Sequence, residues 1–277
     1  MTSIQRVIKY CAIALSIFII INIISAISFS MYMLANILGL NKEKQTQIAD
    51  SEKIVTNFEE DSNIATLNIK LRVSNLVIKT GDILRAESNN KNITCKQNNN
   101  KLVIEEKNNN WFSRKYENEL IVYIPENIVF ETIKIETGAG DIKIEKINTK
   151  NLSLEVGAGK VEIKKLNVSE QANIEGGAGK VEILSGDIHN LNLNMGIGKF
   201  TINTKLIGNN KIDAGIGKLD INLNNKKEDY TIKANKGIGT ISIDENQIMD
   251  DKNYGEGNNV IKVDGGIGSI DIKFLEK

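Results

Sequence analysis

A Gly-x-Gly tripeptide recurs seven times in the second half of the chain. The copies occupy residues 138–140, 157–159, 177–179, 196–198, 215–217, 237–239 and 266–268. Successive copies begin 19, 20, 19, 19, 22 and 29 residues apart. A fixed period of about 20 residues is typical of stacked repeats, in which one structural unit recurs along an axis. This period limits the possible folds more than any other feature of the sequence.

The residues around the tripeptide repeat with it. An apolar residue and then Glu, Asp or Asn precede the first glycine, as in Ile135-Glu136, and a polar, apolar, polar, Ile run follows the second. The copy at 237 departs from this form, since Asn235 and Lys236 resemble an insertion after Ala234. Alternation with a period of two predicts two short strands in each repeat. The tripeptide would join them at one corner and a variable loop at the other.

These repeats predict an all-β fold, a single-chain β-solenoid with coils of about 20 residues. Glycine permits positive φ and close approach of one turn to the next, and we expect the Ala or Ile between the glycines to fill the corner. Seven coils at the strand spacing of about 4.8 Å would extend about 34 Å. The alternative is a meandering antiparallel sheet folded into a sandwich. The recurrence of one corner on one side favours the solenoid, with an insertion at 244–258 in the variable loop.

The segment 63–137 lacks the tripeptide but alternates in the same way, so we predict a capping β region there, continuous with the solenoid of 138–277. It contains the only Trp, in an Asn-rich stretch with Trp111-Phe112. Two interpretations stay open for this aromatic pair. It covers the end of the core, or it forms a partner loop that contacts a membrane interface or another protein.

An apolar run at 11–40 precedes these β segments, and no charged residue lies between Lys9 and Lys42. The run exceeds the roughly 20 residues that cross a bilayer, which predicts one transmembrane α-helix acting as a signal anchor. A cleaved signal peptide and a buried core helix are the alternatives. We expect a short cytoplasmic tail at 1–10, a helical juxtamembrane stalk at 41–62, and a C-terminal domain outside a single-pass cell membrane.

Charge, histidine and cysteine content exclude several functions. The net charge is +0 overall, and beyond residue 40 there are 33 basic and 35 acidic residues, which argues against nucleic-acid binding. The only histidine, His189, lies in a loop and is expected at the surface. Cys11 lies in the apolar run and Cys95 far beyond it, so no disulfide is expected. No cofactor is predicted.

Two chemical motifs resemble the glycine corner without matching it. Gly-Ala-Gly-Asp is similar to the corner of calcium-binding rolls, but only Asp141 fits, and the same position is Lys, Thr or Ser in the later copies. An ammonium group cannot bind Ca²⁺. Gly-Ala-Gly-Lys lacks the Ser or Thr and the glycine spacing of a phosphate loop. We therefore predict neither a metal site nor a nucleotide site.

Four of those positions form a predicted lysine ladder: Lys160, Lys180, Lys199 and Lys218. In a solenoid they would stack about 4.8 Å apart. One interpretation is a solvated ladder whose charges are balanced by acids in neighbouring columns. The other is a cationic strip that binds a repeating polyanion, such as a teichoic-acid-like wall polymer.

The stretch 120–127, LIVYIPEN, followed by TIKIETGAGDI at 132–142 and the glycine-cornered repeats, resembles a bacterial family of unknown function labelled "putative adhesin". The resemblance covers about residues 60–275. It implies a β-strand repeat carried by an exported, membrane-anchored protein, and some relatives lie beside envelope-stress systems. The family has no catalytic motif to transfer.

An enzyme is not expected, because polysaccharide-cleaving β-helices need clustered carboxylates or an Arg or Lys with carboxylates in a cleft. Here the acids lie in periodic columns, and Arg72, Arg85 and Arg114 lie outside the repeats. The sequence predicts a membrane-anchored extracytoplasmic module of a bacterial cell envelope, non-catalytic and adhesin-like. The alternative is an accessory or regulator of envelope-stress signalling that contacts a membrane sensor.

Overall fold

The computed structural model describes residues 54–57, 64–107, 118–248 and 252–276. They form nineteen strands and one short 3-10 turn at Lys227–Asp229. The strands are β1 (Ile54–Asn57), β2 (Thr66–Leu71), β3 (Asn75–Gly81), β4 (Arg85–Ser88), β5 (Ile93–Asn98), β6 (Lys101–Glu106), β7 (Glu119–Pro125), β8 (Phe130–Ala139), β9 (Ile142–Ile183), β10 (Asp187–His189), β11 (Leu191–Ile207), β12 (Asn209–Asp213), β13 (Ile216–Leu223), β14 (Tyr230–Asn235), β15 (Ile238–Ile243), β16 (Asn246–Gln247), β17 (Lys252–Tyr254), β18 (Asn259–Asp264) and β19 (Ile267–Phe274).

The strands wind into coils that pair in parallel, each coil with the next. In the pairing of β8 with β9, Glu136 lies opposite Glu155. In the pairing of β11 with β13, Phe200 lies opposite Leu219. Strand β9 is long because the chain stays extended while it passes through two glycine corners. Parallel pairing at the repeat period confirms the solenoid, and the antiparallel sandwich is wrong.

The described residues contain nine coils. In stacking order they are coil 1 (β6 and β7), coil 2 (β2 and β3), coil 3 (β8 and the start of β9), coils 4 and 5 (the rest of β9, with β10), coil 6 (β11), coil 7 (β12 and β13), coil 8 (β18 and β19) and coil 9 (β14 and β15). Coils 1 and 2 are built within the segment 63–137, so this region belongs to the stack itself.

The stacking order differs from the chain order at both ends. Strand β2 pairs in parallel with β6 on one side and β8 on the other. Likewise, β19 pairs in parallel with β13 and with β15. The first and last coils of the chain are therefore second from the ends of the stack, where both of their edges are paired.

Antiparallel strands cover parts of both outer coils. At one end β5 pairs with β6, β4 pairs with β7, and β1 pairs with β4. At the other, β17 pairs with β14 and β16 with β15. Such strands occupy edges that would otherwise pair with other chains. Strand β1 lies in the segment predicted as a helical stalk, so that prediction is wrong for Ile54–Asn57.

The core lies between the two strands of each coil and is mainly aliphatic. Inward positions alternate with outward ones, as in the burial of Ile202 and Ile221 on neighbouring coils. This column of isoleucines accounts for part of the 46 Ile in the sequence. The largest core side chains include Phe130, Phe200 and Tyr230.

Outward asparagines form ladders from coil to coil. The Asn222 amide donates to Asn203 Oδ1 at 2.6 Å, and Asn192 donates to Asn173 Oδ1 at 3.3 Å. An amide carries both donors and an acceptor, so stacked asparagines can bond to one another along the axis. These ladders give a structural use to many of the 36 Asn.

In the described part of the chain, no helix is long and apolar enough to cross a membrane. The predicted anchor at 11–40, the tail at 1–10 and most of the stalk at 41–62 lie outside the described residues.

Candidate functional surfaces

The glycine corners stack backbone against backbone. A Cβ added at Gly157 would lie 2.1 Å from the carbonyl oxygen of Gly138, and one at Gly198 would lie 1.8 Å from that of Gly179. The second glycine of each corner also has positive φ, +142° at Gly198. Both conditions exclude a side chain, which explains why both glycines recur.

The residue between the glycines does not fill the corner, so that expectation is wrong. Ala158 and Ala178 are exposed, and Ile238 is 47% exposed on the outermost coil. The close approach of the corner backbones leaves no room inside for a side chain, and the middle residue remains outside. These residues stack in register, as Ile197 does with Ile216.

The coil at 237 carries no insertion, which corrects the sequence interpretation. Ala234 lies opposite Val263 and Asn235 lies opposite Asp264 in the parallel pairing of β14 with β18. Asn235 therefore occupies the same column as the acids of the other coils, and its amide donates to Asp264 Oδ1 at 2.7 Å.

The lysine ladder stacks in register, and each of its lysines has a carboxylate partner. Lys199 lies opposite Lys180 on one side and Lys218 on the other. The Nζ-to-carboxylate distances are 2.9 Å for Lys160–Glu162, 2.7 Å for Lys180–Glu182, 3.3 Å for Lys199–Asp220 and 2.9 Å for Lys218–Asp220. Lys218 also lies 3.2 Å from Asp271. We call these lysines with their acids the ladder face; its charges are balanced.

Three outward carboxylates have pKa values below the usual range, those of Glu136, Glu162 and Asp271. The hydrogen bond from Lys160 lowers the pKa of Glu162, and that from Lys134 lowers the pKa of Glu136. The pKa of Asp271 is lowered mainly by a hydrogen bond from the Ser242 hydroxyl and, to a smaller extent, by one from Lys218. A general acid needs a pKa near the working pH, which is a shift in the opposite direction. These groups are suited to holding lysines and not to proton transfer.

Asp141, the one residue that matched a calcium corner, has a structural role. Its Oδ1 accepts a hydrogen bond from the Lys160 backbone N–H at 2.9 Å, and its own N–H donates to Asn75 Oδ1 at 2.8 Å. The described residues contain no group of three or more His, Cys, Asp or Glu side chains placed to hold a metal ion. The predicted partner loop with Trp111 and Phe112 lies outside the described residues.

A groove runs along the edge opposite the glycine corners, where the coils turn through their variable loops. It spans coils 3 to 7 and holds about 1110 Å³ of space open to solvent. We call it the loop-edge groove. Its polar and charged lining comprises Asn148, Thr149, Lys165, Asn167, Ser169, Ser185, Asp187, His189, Lys205 and Asn224. His189, expected at the surface, is half-buried in this lining.

The groove contains charged and polar side chains that make no hydrogen bond or ion pair with the described residues. Within the described ranges, no hydrogen bond or ion pair engages the side chains of Lys165, Lys205, Asp187, His189 or Ser169. This site is not among the predicted ones, although the sequence carries a signal for it. Three ladder lysines, Lys160, Lys180 and Lys218, each have an acid two positions later, on the same face of the strand. Two positions after Lys165 and Lys205 the residues are instead Asn167 and Ile207, which carry no charge.

Comparison with known proteins shows which family the chain belongs to. None of the curated proteins compared with the chain matches it. A solved structure of a "putative cell adhesion protein" from Clostridium sporogenes is 21% identical, covers 80% of this chain and 99% of its own, and has a TM-score of 0.37. A "putative adhesin" from Bacteroides fragilis is 15% identical, with coverages of 83% and 100% and a TM-score of 0.35. The family model described as Toastrack DUF4097 matches residues 61–262 and confirms the resemblance to a bacterial adhesin-labelled family. The chain belongs to the Toastrack DUF4097 family.

Proposed function

We propose that this protein is a membrane-anchored, extracytoplasmic module of a bacterial cell envelope that binds an extended ligand without modifying it. One observation carries the proposal. The carboxylates of the ladder face are held by lysines in a regular column, as Glu182 is by Lys180, and the pKa values of Glu162 and Asp271 are lowered, which does not suit proton transfer. A stacked repeat offers long, regular surfaces, which suit binding along a polymer better than catalysis at one point. The apolar run at 11–40 supports the anchor.

The test uses the full chain expressed in a bacterial host. We expect protease added to intact cells to remove the C-terminal domain, and the detergent-solubilised chain to sediment with purified cell-wall material. Soluble sugar fragments should not appear in the supernatant during prolonged incubation. Protection from protease in intact cells, failure to sediment with the wall, or release of fragments would each contradict the proposal.

Two surfaces are candidates for holding the ligand. The ladder face is the polyanion site that the sequence predicts, through Lys160, Lys180, Lys199 and Lys218. A polyanion that binds there must displace the carboxylates that already pair with these lysines. In the loop-edge groove, Lys165 and Lys205 make no ion pair with the described residues.

A further inference from the structure

We propose that the loop-edge groove is a binding site for an acidic glycan, a polysaccharide segment that carries a carboxylate on about every second sugar. The inference rests on the proposed binding function and names its site and its class of ligand. The two candidate surfaces differ in how their charges are held. The ladder face balances its charges through ion pairs, whereas in the groove no hydrogen bond or ion pair among the described residues holds the side chains of two lysines, an aspartate, a histidine and a serine.

The two lysines set the anionic part of the ligand. Lys165 belongs to coil 4 and Lys205 to coil 6, and the residue of coil 4 in register with Lys205 is Asn167. The backbones of the two lysines are therefore two coil spacings apart along the axis and two residues apart along the strand, or about 12 Å. That separation is comparable to the length of two pyranose rings in an extended chain. Carboxylates on alternate sugars could therefore accept a charge-assisted hydrogen bond from each lysine.

The other groove side chains match hydroxyl groups. Asp187 accepts hydrogen bonds, Ser169 both donates and accepts, and the His189 ring offers a donor and an acceptor in its neutral form. Asp187 lies directly opposite Lys205 in the pairing of β10 with β11, so acceptor and donor alternate along the groove. A sugar with adjacent hydroxyls can donate to one and accept from the other.

Two further features fit a sugar ring. The Asn167 amide is held in place, because it donates to Asn148 Oδ1 at 2.8 Å while its oxygen accepts from the Asp187 N–H at 3.4 Å. A fixed position reduces the entropy cost of binding. Val129 lines the same groove and is 60% exposed, which offers an apolar surface to the C–H face of a ring.

The small net charge of the groove favours a sparsely charged glycan over a densely charged polyanion. Lys165, Lys205 and Asp187 together carry a net charge of only +1. A densely charged polymer would meet Asp187 unfavourably, whereas a sparsely charged glycan can place hydroxyl groups there. The geometry therefore favours sugars with spaced carboxylates.

The experiment measures binding of a fluorescent hyaluronan hexasaccharide, which alternates glucuronate with N-acetylglucosamine, to the full chain in lipid nanodiscs. We expect the double variant Lys165→Gln/Lys205→Gln to bind at least about tenfold more weakly than the native chain, since two charge-assisted bonds are lost. The matched control neutralises the ladder face with Lys160→Gln, Lys180→Gln, Lys199→Gln and Lys218→Gln. This control should bind within about twofold of the native chain. All variants are first checked for an unchanged unfolding transition.

Two further probes test the chemistry. Chitohexaose has the N-acetylated sugars without the carboxylates, and hexaglutamate has the carboxylates without the sugars. Both should bind at least about tenfold more weakly than the hyaluronan fragment. The double variant Ser169→Ala/His189→Ala should weaken binding of the hyaluronan fragment and leave binding of hexaglutamate unchanged.

Three results would overturn the assignment: unaltered affinity in the lysine double variant, loss of affinity in the ladder control, or hexaglutamate binding as tightly as the glycan. Absence of any hyaluronan binding to the native chain would also overturn it. In that case, sedimentation with cell-wall material would still support the proposed function, so failure of the site and failure of the function are distinguishable.

Discussion

The stack has two edges that differ in construction. The corner edge is formed by the Gly-x-Gly tripeptides, and the loop edge is formed by the variable loops that line the groove. At the corner edge the backbones of successive coils touch, as at Gly179 and Gly198, and every coil with a glycine corner keeps the same register. At the loop edge, side chains line a groove and the connections vary in length, with the longest insertion at 244–258. The corner edge holds the coils together, and the loop edge is free to change.

This difference shows where a ligand site can develop in a repeat protein. At a position that must be glycine in every coil, a functional side chain cannot be introduced without separating the coil backbones that touch there. A position whose side chain makes no hydrogen bond or ion pair in the described structure, such as Lys205, can change at little cost to stability. We therefore expect the function of this chain to depend on the loop edge and its stability on the corner edge.

The largest expected effect follows from placing one methyl group at the corner edge. Gly198→Ala puts a Cβ 1.8 Å from the Gly179 carbonyl oxygen, at a φ of +142° that suits only glycine. The coils must separate to accept it, so we expect a loss on the order of 3 kcal/mol or more in the free energy of unfolding. Urea denaturation followed by circular dichroism measures it.

The matched control is the neighbouring residue, Ile197→Ala. This side chain is half-buried outside the corner, so its truncation should cost only about 1 kcal/mol. Equal losses from the two variants would mean that the corner tolerates side chains, and the distinction between the edges would fail.

Much of the corner edge could be predicted from the sequence, because its physical requirements recur in every coil. Two glycines, one polar position and one inward Ile at fixed spacing predict the corner, the parallel stacking and the lysine ladder. The middle residue was predicted inside because Ala and Ile are apolar. Only the distance between the Gly157 and Gly138 backbones shows that no side chain fits there.

The order of the coils could not be predicted from the repeat. The repeat period shows that the coils are alike, but it does not show which coils are neighbours in the stack. Coil 8 enters between coils 7 and 9 because the insertion at 244–258 lets the chain return past coil 9. The groove was missed for a related reason. Its residues belong to several coils and share no motif, and what distinguishes Lys165 in the sequence is that no acid stands two positions later.

A smaller effect is expected in the core near the loop edge, at Tyr230. This residue is 1% exposed, and its hydroxyl lies near the Leu206 backbone without a hydrogen bond in the described part of the structure. Burial raises its pKa from 10.0 to about 12, and the nearby charges of Asp229 and Asp187 add to the effect. The folded state thus favours the neutral phenol. This contribution to stability is complete below about pH 10 and is lost as the pH rises from 10 through 12.

Replacement of Tyr230 by Phe should remove that loss. We expect the variant to match or exceed the native stability by up to about 1 kcal/mol at pH 7, because the hydroxyl it lacks had no partner. Between pH 10 and 12 the variant should gain about 2 kcal/mol relative to the native chain. Lysines also titrate there, so the comparison is the difference between the two urea midpoints at each pH. A constant difference would show that the phenol does not ionise differently in the two states.

The smallest effect compares one aspartate from each candidate surface. Asp220 bridges Lys199 at 3.3 Å and Lys218 at 2.9 Å, whereas Asp187 makes no ion pair within the described residues. Asp220→Asn removes the bridging charge between two stacked ammonium groups, so we expect a loss of about 0.5–1 kcal/mol in the free energy of unfolding at low salt. In about 1 M NaCl, where the Debye length is about 3 Å, most of that loss should disappear. Asp187→Asn should cost less than Asp220→Asn at low salt, because its carboxylate faces Lys205 on the next coil without forming an ion pair among the described residues. A salt-dependent loss from Asp187→Asn equal to that from Asp220→Asn would mean that the groove charges are internally balanced as well, and the reason for assigning the ligand to the loop edge would be lost.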